Sequence, residues 1–345
     1  MVIFISDLHL TDGTFDFGSM VHDTSAEAFK MFWDDILRIV EANASEGFNI
    51  KKIQVVLLGD ILELRTTARW MNVKTRPWSE KPNQLSNDGV NILSEIIDNI
   101  IFKDTKNKIL RERSYYLSTN FLDLIDKENG LYKLIKKRRV KISFIYLPGN
   151  HDRLILDNNA AALRKLIEDK LGWDIVLGNP DLAYEPRFKD ENLGIVANHG
   201  HKCDFMDFFK DYLQPVPGDL LPDILGRMMN QARNLKGVPP LVQKEIVKVI
   251  LNIDLVRPSP SAFDWLLNKI RILESAKGNP QAAATKEGLY KVLLNTLKEL
   301  LKDLEKILNF LYPYIQNRAN KLSAVAVSAY FLKDLSVLPH IFWKK

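Results

Sequence analysis

Three short apolar runs, each followed at once by a turn carrying acidic, amide or imidazole side chains, constrain this chain more than any other feature. They lie at residues 2–5, 53–58 and 142–147. Continuous apolar runs of this length are typical of strands buried on both faces. Helical stretches are predicted between them, at residues 25–44, 91–113 and 119–138. This alternation of strands and helices predicts an α/β layered fold, in which β-sheets are flanked by helices.

The second half of the chain has a different character. A fourth buried strand is predicted at residues 194–197 and a short one at 174–177, but after residue 204 helical periodicity with proline-marked breaks takes over. We therefore expect one domain over residues 1–204 and a helical region over 205–345. Within that region, leucines and isoleucines at alternating steps of four and three predict a long amphipathic helix at 286–311. This helix would pack within its own domain, or form a lid or a self-association seam.

Composition excludes several classes of protein. Hydrophobic residues make up 46% and charged residues 26%, which is incompatible with global disorder. The single cysteine, Cys203, cannot form an internal disulfide, and no apolar stretch reaches the length of a bilayer span. Because the first residues have the pattern of a strand and not of a signal peptide, we expect a cytoplasmic protein. Residues 101–141 hold twelve Lys or Arg against five Asp or Glu, which indicates an exposed helix face or a surface for phosphate-bearing partners.

The polar turns at the strand ends carry the chemistry. They form four motifs: Asp7-Leu8-His9, Gly59-Asp60, Gly149-Asn150-His151-Asp152 and His199-Gly200-His201. Oxygen and nitrogen donors of these kinds suit manganese, iron or zinc. Because neighbouring strand tips in such a sheet converge, we expect these side chains to surround one dinuclear metal centre. Two such ions would generate a hydroxide nucleophile from a shared water and neutralise a phosphoryl group. The Asp60 carboxylate, with two oxygens, suits the bridging position.

In this order, and each after an apolar strand, the motifs resemble those of the calcineurin-like metallophosphoesterase superfamily over about residues 1–205. The resemblance implies a layered metallophosphoesterase-type fold with two divalent ions, manganese before iron or zinc. It also implies a role for each motif residue. The metal ligands would be Asp7 and His9 on the first ion, Asp60 as the bridge, Asn150 and His199 on the second, and His201 as a further ligand or a support. His151 would be the general acid, with Asp152 orienting its ring and Arg153 reaching a phosphate oxygen.

The resemblance is strongest to bacterial branches that include the lipid A precursor pyrophosphatases, whose helical insertions cover the metal site. One superfamily motif, G-H-x-H, does not follow residue 201, and the remaining later histidine is His340. We expect the chain to end before the strand that would carry this motif. The alternatives are that His201 and His340 replace it, or that the site is incomplete.

These features predict a metal-dependent hydrolase of a phosphomonoester, phosphodiester or pyrophosphate, acting on a small molecule or a lipid precursor. One alternative is a nuclease that uses the basic segment at 101–141, and another is a catalytically impaired, phosphate-binding interaction module. Two sequence features stay open. Residues 65–78, which interleave basic residues with tryptophan, form either an edge loop or a substrate-recognition flap. Glu63 is either a partner of the metal ligands or a surface carboxylate.

Overall fold

A computed structural model describes residues 1–14, 26–72, 85–102, 116–119, 130–178, 186–201, 220–254, 262–276 and 278–302. The chain divides into two compact units, Met1–Gln214 and Pro215–Lys345. The first is α/β and the second, in its described residues, is helical. The predicted boundary at residue 204 falls outside the described residues.

The first unit is built on a four-stranded parallel sheet. Its strands are β1 (Val2–Ile5), β2 (Lys52–Leu58), β3 (Lys141–Leu147) and β4 (Trp173–Ile175), in the spatial order β1-β2-β3-β4. Ile5 pairs with Leu57, and Leu58 pairs with Leu147. All four strands run the same way, so β1, β2 and β3 end at one edge of the sheet, and the motifs that follow them start there. The α/β class and the strands at these places are confirmed.

The two faces of the sheet are not covered equally along every strand. Val55, Val56 and Leu57 on the central strand β2 are completely buried. β1 was predicted to be buried on both faces, which is wrong at Phe4, whose side chain is 40% exposed. The reason is position, because among the described strands β1 lies at the end of the order and pairs only with β2. An apolar run predicts a strand but does not reveal its place in the sheet.

Helices connect the strands and cover the sheet. They are α1 (Ala26–Ser45), α2 (Asn87–Ile97), α3 (Gly130–Arg138) and α4 (Ala161–Leu171). Trp33 on α1 is buried against Phe144 on β3, and its indole N–H donates to the Tyr116 carbonyl at 2.8 Å. The predicted helix at 91–113 begins four residues earlier, where the Ser86 hydroxyl accepts from the Gly89 N–H as an N-cap. Residues 103–113 and 120–129 of the predicted helices lie outside the described residues.

A separate hairpin carries the fourth motif. Strands β5 (Phe188–Asp190) and β6 (Ile195–Ala197) pair antiparallel, and Phe188 packs with Val56 and Leu147 on the sheet. The strand predicted at residues 194–197 is therefore present as β6, but the prediction that it is buried is wrong. Val196 is 63% exposed, because one face of the hairpin packs on the sheet and the other faces outwards.

The second unit consists, in its described part, of helices packed through apolar faces. They are α5 (Leu220–Arg233), α6 (Pro240–Asp254), α7 (Ala262–Ser275) and α8 (Pro280–Lys302). Met229, Ile246, Leu289 and Val292 are fully buried between them. The predicted amphipathic helix at 286–311 is confirmed as far as Lys302, and residues 303–345, with His340, lie outside the described part. Among the helices of the described residues, none is both long and apolar enough to cross a membrane.

Candidate metal centre

The loops that follow β1 and β2 run side by side beyond the ends of their strands. The Asp7 N–H donates to the Gly59 carbonyl at 3.2 Å, and the His9 N–H donates to the Asp60 carbonyl at 2.9 Å. The Leu10 N–H continues this ladder by donating to the Ile61 carbonyl at 2.8 Å. The first two motifs are therefore held together by backbone hydrogen bonds.

Three motif residues in these loops have a left-handed backbone. The φ angle is 56° at Asp7, 45° at His9 and 53° at Asp60. Residues other than glycine rarely adopt this conformation, although Asp and His tolerate it better than most. Each such residue costs about 1–3 kcal/mol, so the surrounding structure must hold it in place. The ladder between the two loops does so, and strain of this kind is concentrated at functional sites.

Glycines let these loops approach one another closely. A Cβ atom on Gly59, whose φ is 78°, would lie 2.4 Å from Cγ of the His199 ring. A Cβ atom on Gly149 would lie 2.4 Å from Asp60 Oδ1 and 2.8 Å from Cδ2 of His199. Any side chain at either position would therefore push His199 away from Asp60. Gly59 and Gly149, in the second and third motifs, are therefore required by the close packing of these loops.

His199 faces the other motif residues through its Nε2 atom. Its Nδ1–H donates to the Leu58 carbonyl at 3.0 Å, which fixes the tautomer and leaves Nε2 as the second ring nitrogen. Nε2 lies 3.1 Å from Asp60 Oδ2 and 3.0 Å from Asn150 Oδ1. Side chains from three separate motifs thus meet within hydrogen-bond distance. The acceptor atoms converge where only a proton on Nε2 or a cation can satisfy them.

Glu63 holds the other two imidazoles of the site. Its Oε2 atom lies 3.0 Å from Nδ1 of His9 and 2.6 Å from Nδ1 of His151. Its Oε1 atom accepts from the backbone N–H groups of Arg65 and Thr66 at 3.1 and 2.7 Å. The two rings cross edge to face, with centroids 4.5 Å apart. Glu63 is buried, so of the two interpretations of this residue the structure supports a partner of the motif histidines.

The predicted role of Asp152 requires a correction. Among the described residues, the carboxylate that contacts the His151 ring is that of Glu63, and Asp152 is completely buried behind it. Asp152 Oδ2 accepts from the Tyr146 hydroxyl at 2.5 Å and from the Ile61 N–H at 3.0 Å, and Oδ1 accepts from the Gly149 N–H. Asp152 therefore ties the loop after β2 to the loop after β3. Its hydrogen bonds among the described residues hold the backbone that carries Asp60 and Asn150, and they do not orient the His151 ring.

Arg153 and His201 are also placed differently from a simple ligand shell. Arg153 is 3% exposed, and its Nη1 donates to the Asn150 carbonyl at 3.1 Å, which differs from the predicted contact with a phosphate. Arg65 donates to the same carbonyl at 3.4 Å. His201 is buried beside His199, with ring centroids 5.6 Å apart. Of the segment 65–78, for which an edge loop and a recognition flap were both open, residues 65–67 are buried, and 73–78 lie outside the described residues.

Neighbouring charges at this site favour the protonated form of two histidines and the ionised form of Asp60. For His9, burial opposes the charged form, but the hydrogen bond and charge of Glu63, helped by Asp60 and Asp7, raise the pKa to about 9. For His199, burial likewise opposes, and Asp60 raises the pKa to about 9. Burial favours a neutral Asp60, yet the charges of His151, His199 and His9 hold its pKa below the usual range. Burial and the Asp60 charge raise the pKa of Asp152 to about 6.

Two sets of side chains could hold metal ions. The sets are His9, Asp60 and His151, and Asp7, Asp60 and His199; in each, one ligand atom per residue lies within 4.8 Å of the others. Asp60 belongs to both, as a bridging carboxylate would. The grouping differs from the predicted one, which joined Asp7 to His9 and left His151 out. Asn150 is next to the second set through its contact with His199 Nε2.

The donor chemistry fits a pair of divalent cations. In His9, His151 and His199 the Nδ1 atom is engaged by an acceptor, so in the neutral form each ring has its lone pair on Nε2. Engagement of Nδ1 by a carboxylate or carbonyl is the usual arrangement for metal-binding histidines. Imidazole nitrogen together with carboxylate and amide oxygen suits manganese, iron or zinc.

Sequence reasoning missed Tyr146 and Arg65. Both are buried and neither stands in one of the four motifs. The signal for Tyr146 was its hydroxyl within an otherwise apolar strand, since a buried hydroxyl needs a partner. The signal for Arg65 was its charge, because it stands two residues after Glu63 in a mostly apolar segment that follows β2.

Comparison with known proteins adds no relatives. No protein-family model matches the chain, and neither the search of curated proteins nor the search of solved structures found a match.

Proposed function

We propose that this chain is a metal-dependent phosphoester hydrolase with a metallophosphoesterase-type fold of the calcineurin-like kind. The observation that carries the proposal is the convergence of acceptor atoms around Asp60. Asp60 Oδ2 and Asn150 Oδ1 both lie next to His199 Nε2, and His9 Nε2 lies 4.0 Å from the same Asp60 oxygen. Such a set is stable only with positive charge at its centre. The order of the motifs along the chain supports phosphoester chemistry over other metal-dependent reactions.

In this proposal the ligands are Asp7, His9, Asp60, Asn150 and His199, with Asp60 shared between two ions. When bound, two divalent cations supply a hydroxide nucleophile from water and neutralise charge on the phosphoryl oxygens. Manganese is the first choice, with iron or zinc as alternatives. The proposed substrate is a phosphorylated small molecule or a lipid precursor. The metal ions would contact only the phosphoryl group, so they fix the reaction type and leave the choice of substrate to other residues.

His151 is the proposed general acid. Its Nδ1 is fixed by Glu63 at 2.6 Å, and its side chain is 22% exposed, so Nε2–H is available to a leaving oxygen. As the phosphorus–oxygen bond breaks, the proton moves from Nε2 to that oxygen, and the ring becomes neutral. The Glu63 carboxylate stabilises the imidazolium before transfer and keeps the ring in one orientation. His151 also belongs to the candidate ligand set that contains His9 and Asp60. An experiment is therefore needed to distinguish a general acid from a metal ligand at this position.

We expect the chain to hydrolyse aryl phosphates when manganese is added, and His151→Asn to lower turnover about 10²- to 10⁴-fold with phenyl phosphate. The reason is that an asparagine side chain carries no proton that it can transfer to a leaving oxygen. The loss should be much smaller with nitrophenyl phosphate, whose leaving oxygen needs little protonation. Steady-state kinetics with both substrates, and metal content of both proteins, are the measurements.

The same kinetics separate the alternatives. A parent protein that binds manganese but hydrolyses no phosphoester would overturn the proposal and favour the phosphate-binding module. Equal losses with both leaving groups, accompanied by loss of metal, would make His151 a ligand and not the acid. The basic segment that would favour a nuclease, residues 101–141, lies largely outside the described residues, so no observation raises that hypothesis.

Metal binding should release protons. His9 and His199 have pKa values of about 9 without a cation, so both carry a proton on Nε2 at pH 7.5, where a metal must displace it. We expect release of about two protons per chain on saturation with manganese at pH 7.5. Affinity should rise with pH up to about 9 and level off above it. Calorimetry in buffers of different ionisation enthalpy measures this count, and an affinity that stays flat from pH 7 to 9 would contradict the assignment.

A further inference from the structure

The peptide bond that joins Asn150 to His151 is held at both of its polar ends by buried charged side chains. Its carbonyl oxygen accepts from Nη1 of Arg153 at 3.1 Å and from Nη1 of Arg65 at 3.4 Å. Its N–H donates to Asp60 Oδ1 at 2.8 Å. One peptide unit therefore lies between two guanidinium groups and a carboxylate.

Burial makes these contacts strong. Arg65, Arg153 and Asp60 are 1%, 3% and 3% exposed. A guanidinium group stays charged in proteins, and removing it from water is costly unless it is compensated. Away from water, hydrogen bonds to charged groups are stronger and polarise their neighbours. The two arginines thus contribute to a buried charge balance with Asp60 and Glu63.

The geometry gives the arginines an effect on Asp60. Cations at the carbonyl end of a peptide draw electron density towards the oxygen, which strengthens donation by the N–H at the other end. The stronger hydrogen bond from the His151 N–H fixes Asp60 Oδ1 and so sets the rotation of the carboxylate. Oδ2 is then left facing His199 Nε2, at 3.1 Å, and His9 Nε2, at 4.0 Å.

We propose that Arg65 and Arg153 are positioning residues, which orient the Asp60 carboxylate for its two cations through the Asn150–His151 peptide. This role replaces the predicted contact of Arg153 with substrate phosphate. The inference rests on the proposed function in one respect, namely that Asp60 holds cations. The orientation of the peptide itself can be tested without any metal.

The experiment compares Arg65→Met and Arg153→Met, which lose the charge, with Arg65→Lys and Arg153→Lys, which keep it. Arg271→Met, at an exposed position on α7, is the control. Manganese affinity by calorimetry should fall about 10- to 100-fold in each Met variant, and the Lys variants should recover most of it. In the metal-free protein, the His151 amide resonance should move upfield in the Met variants and not in the control.

The inference would be overturned by folded Met variants with the manganese affinity and the His151 amide shift of the parent. It would also be overturned if the Lys variants lost as much affinity as the Met variants, since shape and not charge would then matter. If a Met variant does not fold, the inference is tested by the His151 amide of the parent protein alone. Its His151 amide proton should be downfield of ordinary amides and slow to exchange, and an ordinary, rapidly exchanging amide would refute the polarised peptide. A parent that binds no manganese would contradict the proposed function and leave this amide test standing.

Discussion

Asp60→Asn is expected to lower turnover of aryl phosphates about a thousandfold or more and to abolish tight manganese binding. The substitution keeps the shape of the side chain, and its remaining oxygen can still accept from the His151 N–H. It removes the negative charge that both sets of candidate ligands share. Charge stabilisation by metal ions is worth several kcal/mol in the transition state, and each 1.36 kcal/mol is tenfold in rate. Kinetics with added manganese and metal analysis of the purified variant measure the two effects.

Asp174→Asn is the matched control, because Asp174 is exposed on β4 and belongs to neither set of candidate ligands. It should retain the turnover and metal content of the parent. Circular dichroism should show both variants to be folded. An Asp60→Asn protein with parental metal content and more than about a tenth of the parental rate would show that Asp60 is not the shared ligand.

Gly149→Ala is expected to damage the site through a single methyl group. The new Cβ would lie 2.4 Å from Asp60 Oδ1, 2.7 Å from the Asp60 backbone nitrogen and 2.8 Å from His199 Cδ2. The loop cannot simply move aside, because the Gly149 N–H donates to the buried Asp152 carboxylate. We expect a loss of about 1–3 kcal/mol in unfolding free energy, as for other overpacked sites. Turnover should fall about a hundredfold, since small displacements of reacting groups have effects of that size.

Gly89→Ala provides the comparison. Gly89 lies on α2, and a Cβ there would have its nearest contact at an ordinary 3.4 Å. Alanine favours a helix over glycine by about 1 kcal/mol, so this variant should be slightly more stable than the parent and equally active. Chemical denaturation and aryl phosphate kinetics test both variants. Gly149→Ala with unchanged stability and turnover would mean that the strand-end loops are not packed as described.

The strand ends could be predicted from the sequence because two local signals coincide there. Apolar runs gave β1, β2 and β3, and the Asp, Asn and His residues directly after them had no place in a buried sheet except at its edge. Parallel strands then bring their ends together whatever their separation along the chain. This is why Asp60 and Asn150 could be expected to meet. His199 follows β6 of the antiparallel hairpin, and the packing of that hairpin on the sheet brings it to the same place. Asp60 Oδ2 and Asn150 Oδ1 lie 3.1 and 3.0 Å from His199 Nε2.

The place of each strand in the sheet could not be predicted in the same way. β1 and β2 have similar apolar runs, yet Phe4 on β1 is exposed, whereas the apolar residues of β2 are buried or half-buried. The difference comes from strand order, which depends on contacts between distant segments. The hairpin of β5 and β6 shows the same difficulty. Ile195–Ala197 is short and apolar, and only its pairing with Phe188–Asp190 reveals that one of its faces is exposed.

The partners of the motif residues were the least predictable part of the site. Asp152 follows His151 directly, and the resemblance to the metallophosphoesterases implied that it orients that ring. The side chains diverge, however, and Glu63 reaches His151 from another loop, 88 positions away along the chain. The contacts of Arg65 and Arg153 with the Asn150 carbonyl likewise depend on how two loops pack. Hydrogen bonds of this kind are decided by tertiary geometry, which sequence spacing does not encode.

Crystals grown with manganese would show whether two cations share Asp60, through anomalous difference density at the metal absorption edge. We expect two peaks beside Asp60, each about 2.0–2.3 Å from one of its oxygens. One should be next to His9 and the other next to His199 and Asn150. The absence of any peak, or a peak that does not contact Asp60, would contradict this expectation.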